Sequence, residues 1–395
     1  MKIPRSILAA LLLAATAASA RPDGRPLLGA SWQGAKGGFA DAPVRLEELR
    51  TLGFRQVSLV PTYPYSGLDR IEFPKGPDGD EVANAAALAL AAGFTVVLKP
   101  HLDPPAYFAG YDAYGSDQHS WRVDCPWRGF FDVDPMSEDY RGLIRTSLDS
   151  ISRALARQKG PVPPVRLELG VELMDSVVAF PDRWLELLTF AREERRRLGL
   201  DGKVLLSHNF EHHVEIPEDV VLRLKPAGRK ALARYIKGLD ALALSQYMDL
   251  TAATPPEELK RRLPTADEVA RALALHDANF RRDVLEKILG LKSSEIPPIH
   301  IGEFGVGRGG LKHPNVWSGD ASPEEEKALD AEIARGYEGL TRYLSLDSET
   351  RAFSATLWVT GKHYDVFGWQ NSSYAIPAAA DAARAYLGSV STPAK

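Results

Sequence analysis

Two glutamates stand where short apolar runs give out. The stretch PIHIGEFGVGRGG, residues 298 to 310, carries Ile299 and Ile301 into Glu303 and then breaks into glycines. The stretch VRLELGVE, residues 165 to 172, ends in Glu172 in the same way. An apolar run that ends in a carboxylate and then a turn reads as a buried strand emptying into a loop. A glutamate fixed there by the strand beneath it is placed to act as a nucleophile or a general base. The structural alternative is a strand-end glutamate that caps a backbone group or pairs with a cation such as Arg308.

Two strand-end carboxylates facing each other across one mouth suit glycosidic bond cleavage. One protonates the leaving oxygen and the other attacks the anomeric carbon, with retention when they lie about 5–5.5 Å apart. The aromatic residues point the same way. Of 7 tryptophans, only Trp184 falls in an expected helix; Trp32, Trp121, Trp127, Trp317, Trp358 and Trp369 fall at strand ends or in loops. Tyr63, Tyr65, Tyr107, Tyr111, Tyr114 and Tyr364 join them. Flat rings with polar edges match the apolar faces and hydroxyls of pyranosides, although rings of this kind also pack long loops together.

The elements that must hold these residues alternate along the chain. Strands are expected at Leu28–Trp32, Gln56–Thr62, Phe94–His101, Val165–Glu172, Lys203–Asn209, Ala241–Tyr247, Ile299–Glu303 and Phe353–Trp358. Helices are expected near Val44–Leu52, Glu81–Ala92, Glu138–Arg157, Pro181–Leu198, Ala227–Gly238, Thr265–Leu289, Pro323–Leu344 and Ala378–Leu387. Ser137 and Ser322-Pro323-Glu324 mark helix starts, and Gly53, Gly93, Gly199 and Gly290 mark helix ends. This alternation predicts a single (β/α)8 barrel over residues 21–395, with long loops on the face where such barrels carry their active sites. An open doubly wound sheet usually has a glycine-rich phosphate turn after the first strand, and GASWQGAKGG lacks that spacing.

Period-two alternation then assigns faces. It turns Glu168, Gly170 and Glu172 inward from the fourth strand, and Thr95, Val97, Lys99 and His101 inward from the third. Lys99 and Glu168 should meet at similar depth as an ion pair, since a lone buried charge would cost too much.

Composition excludes several classes. The chain has 395 residues, 45% hydrophobic and 25% charged, with net charge −4 and no long run of one sign, so neither nucleic acid nor an anionic membrane is an expected partner. Met1 to Ala20 reads as a signal peptide: Lys2 and Arg5, an apolar core from Ile7, then Ala18-Ser19-Ala20. Export to the periplasm or medium is expected, with no membrane span after cleavage. Cys125 is the single cysteine, so the chain forms no internal disulfide. Residues 207 to 215, SHNFEHHVE, could hold a metal, but a polar loop lending Asn209 or His212 to the cleft fits better, and no metal or other cofactor is expected. The G-x-S-x-G nucleophile elbow is absent.

Several segments, in order, resemble the retaining barrel glycosidases of clan A, and within them glycoside hydrolase family 113, whose known members act on β-mannan. They are GASW, VVLKPHLD, the W-R-G at Trp127–Gly129, LELGVEL, LALSQYMDL, IGEFG and TLWV. The resemblance spans nearly the whole chain after Ala20. It implies Glu172 as acid/base and Glu303 as nucleophile, acting on an oligosaccharide or polysaccharide. It also implies Tyr247 beside the nucleophile, Lys99, His101 and Arg128 lining the subsites, and Trp358 as the platform under the cleaved sugar. Trp32, Trp127 and Asn209 complete the expected substrate-binding set. One position departs: clan A enzymes often carry Asn just before the acid/base to bind the 2-hydroxyl, and here it is Val171. Asn209 could supply that contact, the substrate could differ, or activity could be lost. A non-catalytic glycan-binding barrel is the alternative function. A polysaccharide lyase using Lys99, His101 and Arg128 is a third.

Overall fold

The computed structural model describes residues 25–34, 39–66, 70–73, 78–103, 131–213, 221–315, 322–346, 352–359, 364–369 and 372–388; of His212 and His213 only the backbone is described. Strands form at β1 Leu27–Gly34, β2 Gln56–Pro64, β3 Thr95–Leu98, β4 His101–Asp103, β5 Val165–Val171, β6 Val204–His213, β7 Ala241–Tyr247, β8 Ile299–Phe304 and β9 Ser354–Leu357. Every pairing between them is parallel, and β1 pairs with both β2 and β9, which closes the sheet. β3 and β4 are two halves of one stave, interrupted at Lys99-Pro100, where proline has no N–H to give. The result is the eight-staved (β/α)8 barrel that the alternation predicts.

The helices form where their caps say they should. Ser137 accepts from the Tyr140 N–H, and Ser322 with Glu325 and Thr265 with Glu268 make complete capping boxes. Gly53, Gly93, Gly199 and Gly290 all take positive φ after a helix, the conformation glycine adopts without a Cβ penalty. The expected helix over Thr265–Leu289 is two pieces: an α-helix at Ala266–Asn279 and a wider π-helical stretch at Phe280–Ile288. Among the described residues no helix is long and apolar enough to cross a membrane.

The main core lies between the staves and the helices. Leu28, Ala30, Val57, Leu59, Val96, Leu98, Leu167, Leu206, Leu242, Leu244, Ile299 and Ile301 face outward into it. The barrel interior is instead largely polar. Arg166 donates to Gln56 Oε1 at 2.6 Å and to Ser354 Oγ at 3.3 Å, and Gln56 donates to Thr356 Oγ1 at 2.9 Å. His300 Nδ1 lies 2.7 Å from the same Ser354 hydroxyl. Burial pushes the Arg166 guanidinium down to about 10, opposed by the charge of Glu168. This hydrogen-bonded layer, in which Arg166 Nε and His300 Nε2 have no partner among the described residues, is the floor on which the polar mouth is built.

Candidate active site

Both strand-end glutamates reach the mouth through irregularities that break strict alternation. On β8, Ile301 and Phe304 face the outer core, yet a Cβ on Gly302 would lie 2.5 Å from Asn209 Oδ1 inside the barrel. The pairing with β7 slips at this point, from Leu244↔Ile301 to Ser245↔Glu303. This bulge turns Gly302 and Glu303 inward together; uninterrupted alternation would have put Glu303 on the outer face with Ile299 and Ile301.

The fourth stave has the same device. The pairing of β5 with β6 slips between Glu168 and Val171. A Cβ on Gly170 would strike His208 at 2.5 Å and Trp184 at 2.6 Å, so Gly170 faces outward and not inward as alternation predicts. The strand ends at Glu172, whose φ of 55° is the only positive value among the described non-glycine residues. Its N–H still donates to Asn209 O at 2.9 Å. A non-glycine residue in this left-handed region is uncommon and costs on the order of 1 kcal/mol, a strain often found at functional sites.

Glu303 is nearly fully buried and closely held. Lys99 Nζ lies 3.1 Å from its Oε1 and donates to Gly302 O at 2.9 Å. The Tyr247 hydroxyl donates to Oε2 at 3.3 Å, and His101 Nε2 stands 3.5 Å from Oε1. Lys99 also lies 3.6 Å from Glu168 Oε2, so the expected ion pair forms and extends to Glu303. Arg308 is not the partner of Glu303; it pairs with Glu326 at 3.0 Å.

The two carboxylates converge on the tyrosines. Burial first, then the charge of Glu303, then Tyr364 and Glu172, push the Tyr247 hydroxyl far up, so it stays protonated and donates. Tyr364 is pushed up by burial, by Tyr337 and by the same two glutamates. Tyr247, Tyr364, Trp358 and Val60 pack as a second apolar cluster, separate from the outer core. Trp358 stacks parallel to the His101 ring at 5.6 Å between centroids, and its buried Nε1 has no hydrogen-bond partner among the described residues.

Most of the expected site therefore assembles: Glu172, Glu303, Lys99, His101, Tyr247 and Trp358. Asn209 faces inward, directly against Gly302, and its amide donates to Ser245 Oγ at 2.9 Å. Trp32 lies on the face of β1 opposite Ser31 and Gln33 and packs edge-on against Phe39 at 4.8 Å, away from the glutamates. Trp127 and Arg128 lie outside the described residues, as do Met1–Ala20, Trp121, Trp317, Tyr107, Tyr111 and Tyr114. Tyr364 is the site residue that strand alternation does not assign. It sits beyond β9 and reaches the mouth by lying across Gly305, where an added Cβ would fall 2.2 Å from its ring, while its hydroxyl donates to Pro314 O at 2.7 Å. The glycine at 305, straight after the glutamate strand, is the sequence signal for that close approach. His208, from the histidine-rich stretch, points outward between Trp184 and Tyr235, and no cluster of three metal-binding side chains occurs among the described residues.

No protein-family model matches the chain, and no curated protein matches it. Solved structures do. A GH113 β-1,4-mannanase aligns over 91% of this chain and 98% of its own, at 16% identity and a TM-score of 0.55. The GH113 β-mannanase AaManA from Alicyclobacillus acidocaldarius, solved with ManMIm, aligns over 92% of this chain and 96% of its own, at 18% identity and a TM-score of 0.53. Identities this low show a shared barrel fold along almost the full length of each chain.

Proposed function

We propose that the chain is an exported retaining glycoside hydrolase acting on β-linked hexose polymers or oligosaccharides, with β-mannan the favoured substrate. The observation that carries this reading is the pair of mouth glutamates, Glu303 turned inward by a bulge and Glu172 at a positive φ where β5 ends, whose charges meet at Tyr247 and Tyr364. Mannan is favoured because the two GH113 β-mannanases align end to end with the chain. Export rests on the leader-like residues Met1 to Ala20.

Glu303 is the nucleophile in this mechanism. Lys99 and Tyr247 each donate toward one of its oxygens, which stabilises the anion and fixes the lone pair that attacks the anomeric carbon. As the glycosyl–enzyme bond forms, Glu172 gives its proton to the departing oxygen. It then takes a proton from the incoming water, which displaces Glu303 and restores the starting configuration. Trp358, stacked on His101 and carrying an unpartnered buried N–H, offers an apolar face and a donor to the sugar at the cleavage point. Val171 is buried and apolar where clan A enzymes often place Asn, so its side chain offers no hydrogen bond to a 2-hydroxyl.

The test is a screen of purified protein against mannan, glucan, xylan and galactan, with the anomeric configuration of the first product followed by NMR. Cleavage of mannan with retention is expected. Saturable binding to one of these glycans without cleavage would instead establish the glycan-binding barrel.

A further inference from the structure

A buried carboxylate below the mouth has no part in the two-glutamate chemistry. Glu168, on β5, is 1% exposed, and neither of its oxygens makes a hydrogen bond among the described residues. It is held by charge alone. Lys99 lies 3.6 Å away on one side, a distance for ion pairing and not for a hydrogen bond, and Arg166 follows two residues earlier on the same inward face. Lys99 in turn directs its short contacts to Gly302 O at 2.9 Å and Glu303 Oε1 at 3.1 Å. Arg166, Glu168, Lys99 and Glu303 thus form a ladder of alternating charge from the barrel interior to its mouth.

We propose that Glu168 is a positioning residue for Glu303, dividing the Lys99 ammonium between two carboxylates and thereby setting how strongly that ammonium holds the nucleophile. Negative charge on Glu168 draws Lys99 inward, and loss of that charge leaves Lys99 to Glu303 alone. The charged and titratable groups around this contact are Lys99 between β3 and β4, His101 from β4, Arg166 from β5, Tyr247 from β7, and His300 and Glu303 from β8. Burial raises Glu168, opposed by Lys99 and Arg166 and reinforced by Glu303, to about 7. The ladder therefore changes charge near neutrality, and the coupling runs both ways, because each carboxylate affects the other's proton by the same free energy.

The role of Glu303 as nucleophile comes from the proposed function, so the experiment has one arm independent of turnover. In protein labelled with 13C at glutamate side-chain carboxyls, NMR titration follows Glu168 in the wild type, Glu303→Gln and Lys99→Met. The Glu168 midpoint should fall by about one pH unit in Glu303→Gln, where a like charge is lost, and rise by about one unit in Lys99→Met. The second arm measures kcat/KM against pH on 4-nitrophenyl β-mannoside. The wild-type profile should carry an inflection near pH 7, where Glu168 takes up its charge; Glu168→Gln should lose that inflection, and Glu168→Asp, which keeps a titrating carboxylate, should retain one. A midpoint that stays put in both variants, or a Glu168→Gln profile that overlays the wild type, overturns the inference. Coupled titration without cleavage of any β-glycoside would leave the charge ladder standing and remove the glycosidase reading.

Discussion

At the scale of single residues, the two glutamates differ in what surrounds them. Glu303 has Lys99, Tyr247 and His101 gathered on its carboxylate, while Glu172 sits at a strained backbone position at the end of its strand. Variants at the two positions should therefore behave asymmetrically. Glu172→Ala should retain the first half-reaction on aryl glycosides with activated leaving groups, which depart without a proton. The glycosyl-enzyme should then accumulate for want of a base, and azide should speed its release. Pre-steady-state burst kinetics with and without azide measure this. Azide rescue that inverts the configuration in Glu172→Ala would exchange the two roles. The meeting of Lys99 with Glu168 is legible in the sequence, because alternation faces both inward at similar depth. The second partner, Glu303, is not, because alternation alone would turn it away.

At the scale of elements, the barrel mouth is made by two bulges. Gly302 is needed because its inward face is pressed against the Asn209 amide, itself held by Ser245. Gly302→Ala should lower stability by about 1–3 kcal/mol, the usual cost of overpacking a filled interior, and should reduce kcat by displacing Glu303. Truncating the obstacle in Gly302→Ala/Asn209→Ala should recover part of the lost Tm; a double variant no more stable than the additive expectation would locate the constraint elsewhere. The eight staves, the caps at Ser137 and Ser322 and the glycine stops could all be read from periodicity and local chemistry. The bulges could not, since one extra residue in a short strand leaves no mark in an apolar pattern. Alternation alone therefore faces Gly170 inward, whereas it packs against Trp184 and His208. Trp32 has a simpler explanation: it follows Ser31, and its alternate position directs it to Phe39 in the outer layer. The π-helical turn at Phe280–Ile288 is likewise invisible, because its residues keep the amphipathic pattern of an ordinary helix.

At the scale of the whole molecule, stability should depend on keeping buried histidines neutral. His208 is enclosed by Trp184, Phe210 and Tyr235, with Nδ1 2.8 Å from the Tyr235 hydroxyl, and burial pushes it down to about 3. Its folded form resists the proton that the unfolded chain accepts below about 6.5. The stability it contributes is complete above that pH and is lost as pH falls from 6.5 toward 3, by at most ~1.4 kcal/mol per pH unit. His300, driven down by burial and by the charges of Arg166 and Lys99, adds to the same trend. Glu168 and Asp277, raised by burial to about 7 and about 6, act in the opposite sense and lose stability as pH rises through their range. A single Tm curve therefore mixes the two, and a variant separates them. In His208→Gln, which keeps a partner for Tyr235, the fall in Tm below about pH 6.5 should be shallower than in the wild type. Parallel curves would mean that His208 is already protonated in the fold.

All of this polar interior leads to one carboxylate, Glu303, which in the proposed mechanism forms a covalent bond to sugar. Incubation with 2-deoxy-2-fluoro-β-mannosyl fluoride, followed by intact mass and peptide mapping, measures it most directly. A mass increase of one fluoroglycosyl unit is expected, carried by the peptide that contains Glu303 and absent in Glu303→Gln. Label on Glu172, or turnover of mannan in Glu303→Gln at the wild-type rate, would contradict it.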